Sequence, residues 1–162
     1  MKTRRFVISF LLFAMVLMTF HISAFADLTK AEALGIARQA VPSGCKVTDV
    51  SYDKKDKDWE CEFLTKNKKI EYEIKVDGVT GKITKKEMEK QCDKGGCCVR
   101  ISKKRARNAV AKLFRDAVIT KVWKCKDDGF YIYRVLFHGD GYRGNAEVNA
   151  STGVVNEWTK YF

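Results

Sequence analysis

An internal echo constrains this chain more than any other feature. Val76-Asp77-Gly78-Val79-Thr80-Gly81-Lys82-Ile83 recurs as Val148-Asn149-Ala150-Ser151-Thr152-Gly153-Val154-Val155, at an offset of 72 residues. Val76/Val148, Thr80/Thr152 and Gly81/Gly153 are identical. The stretch reads as a strand end, a tight turn and the start of another strand. Asp77 and Thr80 can fold their side chains back on the backbone, and Gly81 tolerates positive φ. The spacing predicts one small module written twice.

The first copy opens on a helix start. Thr29 is placed to cap the free amides, Glu32 sits at the capping-box position, and Leu28 can staple onto Ala33. Ala33, Ile36, Ala37, Ala40 and Val41 make one apolar stripe, and Pro42 ends the helix at Val41. Strand signals follow: Thr48, Val50 and Tyr52 alternate with polar partners, as do Trp59, Cys61 and Phe63, then Ile70, Tyr72, Ile74 and Val76. A period of two with polar partners predicts antiparallel strands with one wet face. Lys85 to Gly96 reads as a charged connection. The scheme then restarts: Ile101-Ser102-Lys103 matches Leu28-Thr29-Lys30, and Thr48/Thr120 and Val50/Val122 are identical. The expected fold class is α+β, with two tandem helix-plus-four-stranded antiparallel sheet repeats, the helix packed on one face of each sheet; whether the repeats share one continuous sheet is left open. Repeat 1 spans residues 27–90, a Cys/Gly-rich linker 91–99, and repeat 2 residues 100–162.

A capped, Ala-rich helix (Leu28 to Val41), a strand over Val47 to Tyr52, and Tyr72-Glu73-Ile74-Lys75-Val76-Asp77 running into Thr80-Gly81-Lys82-Ile83 together resemble the PepSY domain. The second copy departs from that pattern, with Asn149 and Val154 where the family usually has Asp and Lys. The tandem arrangement also resembles beta-lactamase inhibitory protein and its PepSY-like relatives. The resemblance implies binding or inhibition of an exported peptidase or other hydrolase, without catalysis by the chain itself.

The first 26 residues carry an address. Met1-Lys2-Thr3-Arg4-Arg5 is a basic n-region, Phe6 to Phe20 is apolar, and Ala24-Phe25-Ala26 has a small-x-small cleavage pattern. The apolar run is shorter than a membrane span requires. Export with cleavage after Ala26 is expected, with an uncleaved anchor as the competing reading; no stable membrane span is expected after processing. The remaining chain holds 28 basic and 20 acidic residues, a net charge of +8. Its lysines are interspersed with acids, as in Asp53-Lys54-Lys55-Asp56-Lys57-Asp58, which argues against a phosphate-binding stripe and hence against nucleic acid.

All six cysteines, Cys45, Cys61, Cys92, Cys97, Cys98 and Cys125, follow the leader. An even count in an exported small protein predicts disulfides of open connectivity. Cys92-x4-Cys97-Cys98 lacks the paired spacing and nearby His of a zinc site, so no metal and no cofactor are expected. No catalytic constellation is found: His138 sits at a hairpin end, and Glu60, Glu62, Glu71 and Glu73 read as the solvated face of a sheet. Lys103, Lys104, Arg105 and Arg107 at the second helix start read as a solvated helix face, with an acidic partner as the competing reading.

One asymmetry separates the copies. Strand parity puts Asp49, Ser51, Glu60, Glu62, Glu71 and Glu73 on the helix-distal face of the first copy. The same parity puts Trp123, Cys125, Phe130, Ile132, Leu136 and Trp158 there in the second, with Arg134 and Arg143 among them. Aromatic and Arg side chains are enriched at binding hot spots. Trp123, Phe130, Ile132, Arg134, Leu136 and Trp158 are therefore the candidate partner-binding residues, unless the chain itself covers them. A protein-binding module is the leading reading, and an envelope-associated scaffold without inhibitory activity is the alternative.

Overall fold

The computed structural model describes residues 27–90 and 95–162. The chain runs α1 (Lys30–Gln39), β1 (Lys46–Asp53), β2 (Asp58–Leu64), β3 (Ile70–Asp77) and β4 (Ile83–Lys90). It then repeats the order with α2 (Lys103–Leu113), β5 (Val118–Asp127), β6 (Phe130–Gly139), β7 (Tyr142–Asn149) and β8 (Val155–Tyr161). The expected signal peptide, residues 1–26, lies outside the described residues, as does Cys92.

Local chemistry accounts for the element boundaries. The Thr29 side chain accepts the Glu32 N–H at 3.3 Å, and Glu32 Oε2 accepts the Thr29 N–H at 2.9 Å, completing a capping box. Ser102 caps α2 by accepting the Arg105 N–H at 3.2 Å, but no acidic residue supports its first turn. The two echo turns close on the same bonds. Asp77 Oδ1 accepts the Val79 and Thr80 amides at 3.0 and 2.6 Å; Asn149 Oδ1 accepts those of Ser151 and Thr152 at 2.9 and 3.0 Å. Gly81 and Gly153 supply φ values of 70° and 82°. Replacing Asp by Asn leaves the turn intact because only an acceptor oxygen is needed.

The expectation of two tandem helix-plus-four-stranded sheet repeats is overturned. All eight strands form one antiparallel sheet in the order β1-β2-β3-β4-β8-β7-β6-β5. The seam is β4 with β8, from Lys85 opposite Tyr161 to Glu89 opposite Glu157. Separate sheets would leave both strands as open edges, with unpaired N–H and C=O groups; joining them removes both edges. β4 also reaches Lys90, so residues 85–90 are strand rather than the charged connection expected there.

Both helices lie on one face. α1 covers Cys61, Phe63, Ile74 and Val76, with Ala33 and Ala37 buried beneath it. α2 covers Tyr133, Val135, Phe137, Ala146 and Val148, with Ala106 and Val110 beneath it. The cores meet at the seam, where Met88 stands opposite Trp158 and Tyr72 packs against both clusters.

Candidate functional site: the helix-free face of the sheet

Among the described residues both helices lie on one side, and the other side of the sheet carries no helical layer. Strand register sets its side chains in rungs. One rung runs Glu71, Glu89, Glu157, Glu147, Arg134 and Trp123 across β3, β4, β8, β7, β6 and β5. The next runs Asp49, Glu62, Glu73 and Glu87, then Thr159 and Asn145. Directly opposed carboxylates repel one another, and here they form a continuous acidic field in a chain with an excess of basic residues.

Part of the field is neutralised internally. Lys75 pairs with Glu60, and Lys85 with Glu73 at 3.1 Å and with Glu87. Arg134 bridges Asp127 and Glu147, each at 2.9 Å. Among the described residues, Glu62, Glu89 and Glu157 have no ion-pair partner. Burial, then Glu147, Glu87 and Glu89, push the Glu157 carboxyl up to about 7, against the opposing pull of Arg134. Burial and the surrounding carboxylates, Glu71 foremost, raise Glu62 as well.

Asn156 marks the weak point of the second copy. It occupies a β-bulge between Glu147–Val148 and Val155–Glu157, and its Oδ1 is buried without a hydrogen-bond partner. Thr84 holds the corresponding bulge in the first copy, 72 residues earlier, and donates its hydroxyl to Asp58 at 2.9 Å. The same offset puts Phe130 where Asp58 stands. Asn156 instead lines a recess of about 190 Å³ with Glu89, Lys90, Asp127, Asp128, Glu147 and Glu157.

The sequence-derived partner residues divide. Trp123 and Arg134 are half-buried on the helix-free face, and Leu136 and Phe130 are exposed. Ile132 is on that face but only 1% exposed, lying under Gly95. Trp158 is on the opposite side: it packs edge-on against Phe114 in the α2 core. The physical reason is the Asn156 bulge, which advances β8 by one residue and reverses the parity transferred along it. Leu136, His138, Arg143 and Tyr161 line a groove of about 530 Å³ at the same edge of the face.

The expected disulfide framework is not formed among the described residues: Cys45, Cys61, Cys97, Cys98 and Cys125 are all unbridged. Cys45 and Cys61 are buried in the α1 core as small apolar groups. Cys125 is paired in register with Ile132 in the second half of the sheet, and Cys97 and Cys98 hold their sulfurs 3.8 Å apart. A disulfide requires about 2.05 Å. No group of three His, Cys, Asp or Glu among the described residues is arranged to hold a metal.

Reading the sequence alone recognises Glu60, Glu62, Glu71 and Glu73 but treats them as an ordinary wet face. It misses Glu87, Glu89, Glu147 and Glu157, which lie beside them only once β4 meets β8. Alternation in Lys85, Glu87 and Glu89 was the available signal.

Residues 27–87 match the PepSY family, described as the peptidase propeptide and YPEB domain. No curated protein matches. A crystal structure of a chain described as a lipoprotein from Clostridium difficile 630 aligns at 16% identity and a TM-score of 0.36, over 83% of this chain and 93% of the other. The Bacillus megaterium YpeB C-terminal domain aligns at 13% identity and a TM-score of 0.46, over 82% of this chain and 62% of the other. The stretch that matches, residues 27–87, takes in the first helix and the four strands that follow it up to Glu87.

Proposed function

We propose that this chain is an exported, non-catalytic binding module that receives a basic segment of a protein partner on its helix-free face. The observation that carries this reading is the row of directly opposed carboxylates Glu71, Glu89, Glu157 and Glu147. Like charges in register lower the stability of a sheet, so the fold itself does not call for them. A cationic partner would relieve that repulsion and supply donors to the unpaired Glu89 and Glu157. Trp123 and Leu136 add apolar contact at one end of the row, where large side chains commonly anchor an interface. The PepSY family's peptidase-propeptide description supports an exported peptidase as the partner, with inhibition as the consequence. The basic n-region, apolar run and Ala24-Phe25-Ala26 support export.

The test titrates the full processed protein with a Lys/Arg-rich peptide carrying one Leu, and with its Asp/Glu counterpart. Binding of the basic peptide should weaken as salt rises and as Glu89→Gln and Glu157→Gln are combined. A partner captured from exported extract should lose activity with the parent protein and recover it with the double variant. Equal affinity for both peptides would overturn the basic-partner reading. Capture without loss of partner activity would leave binding and remove inhibition.

A further inference from the structure

The Gly95–Arg100 segment uses none of the carboxylates of the binding face. Gly96 pairs with Tyr131, donating to its carbonyl at 3.0 Å and accepting its N–H at 2.7 Å. A Cβ on Gly96 would stand 2.3 Å from Ser151 Oγ, so glycine lets the segment lie directly on the second echo turn. Ser151 Oγ accepts the Cys98 N–H at 3.3 Å and donates to the Cys98 carbonyl. The backbone of Cys98 is thus held at both of its polar atoms.

The sulfur of Cys98 meets a cation. Arg100 donates its Nε–H to Cys98 Sγ at 3.2 Å, and the Cys97 thiol lies 3.8 Å away. Ser151 Oγ is 3.7 Å from the same sulfur, but its single proton is engaged by the closer carbonyl. Arg100 is therefore the main donor. Its hydrogen bond, followed by contacts from Ser151 and Cys97, lowers the Cys98 pKa, whereas burial raises those of Cys61 and Cys125. Cys98 is partly open to solvent and Cys97 is exposed. Thiolates, not thiols, attack disulfides, and a neighbouring Arg is a recognised way to favour the thiolate. Cys92 lies outside the described residues.

We propose that Cys98 is a thiolation site that accepts half of a small, carboxylate-bearing disulfide. The Cys98 thiolate attacks one sulfur of the incoming disulfide. The old S–S bond breaks as the Cys98–S bond forms, and the other half leaves as a thiolate that takes a proton from water. The incoming disulfide is the oxidant, and no further co-reactant is needed. The outer guanidinium nitrogens of Arg100 are available to hold a carboxylate of the reagent. That selects an anionic disulfide over a cationic one.

The full processed protein, reduced and freed of reductant, is treated at pH 7 with oxidised glutathione or with cystamine. Peptide mapping then follows each cysteine with time. Cys98 should acquire glutathione about tenfold faster than Cys125, and faster than it reacts with cystamine. Arg100→Gln should remove that lead and shift the rate profile of Cys98 to higher pH, with thermal stability unchanged. Cys98→Ser should abolish the fast addition without altering the labelling of Cys125. Equal rates at Cys98 and Cys125, or a Cys98 rate indifferent to Arg100→Gln, would overturn the proposal. Faster reaction with cystamine would overturn its anionic selectivity.

Discussion

Glu89 of β4 stands directly opposite Glu157 of β8 across the seam that joins the two halves of the sheet. Glu147 of β7 opposes Glu157 from the other side. Glu157 is thus held between two carboxylates, with Glu87 also nearby and Arg134 as the one opposing cation.

This arrangement predicts a specific pH dependence. The folded-state pKa of Glu157, about 7, is raised above the usual 4.5, so the native state retains a proton that the unfolded chain releases. The associated stability is fully present below pH 4.5 and is lost as pH rises through about 7. Glu157→Gln should flatten this loss and stabilise the protein at pH 8 by about 1–2 kcal/mol, allowing for solvent screening. Urea unfolding of both proteins at pH 5 and pH 8 checks it; an equal difference at the two pH values would contradict the assignment.

The two helix caps should not be equivalent. Thr29→Ala removes the hydroxyl that accepts the Glu32 N–H and donates to Glu32 Oε2, leaving only the backbone half of the capping box, and should cost about 1 kcal/mol. Ser102→Ala removes a single bond from a helix with no acidic first turn and should cost about half as much. Paired denaturant melts measure the difference.

Two glycines should respond oppositely to alanine. A Cβ on Gly144 would lie 2.5 Å from both Phe137 Cζ and the Thr159 carbonyl oxygen, and the backbone atom cannot rotate away. Gly144→Ala should therefore destabilise by about 1–3 kcal/mol. Gly35, within α1, has nothing within 4 Å of such a Cβ, and Gly35→Ala should stabilise by about 0.5–1 kcal/mol. Thermal unfolding should move the two variants in opposite directions.

Two tryptophans separate packing from recognition. Trp158 is 8% exposed between Phe114 and Met88, and Trp158→Ala should cost about 3–5 kcal/mol. Trp123 is half-buried under the Lys121 ammonium on the helix-free face. Trp123→Ala should leave the melting temperature nearly unchanged and weaken binding of the basic peptide. Equal losses of stability in the two variants would place Trp123 in the core.

What the sequence determined by itself was whatever rests on neighbours along the chain. The echo turns and the Thr29 and Ser102 caps depend on bonds between residues three positions apart, and the alternation of β1 to β3 on the two-residue period of an extended strand. The pairing of β4 with β8 joins partners far apart in sequence, Glu89 and Glu157, and was set by the packing of the whole sheet. That pairing assembled the acidic field from residues that each looked like an ordinary solvated position. The bulge at Asn156, within the β7–β8 pairing, turned Trp158 into the core. The fate of the cysteines was likewise beyond the sequence: an even count permits bridges, but only spatial placement brings two sulfurs into bonding distance.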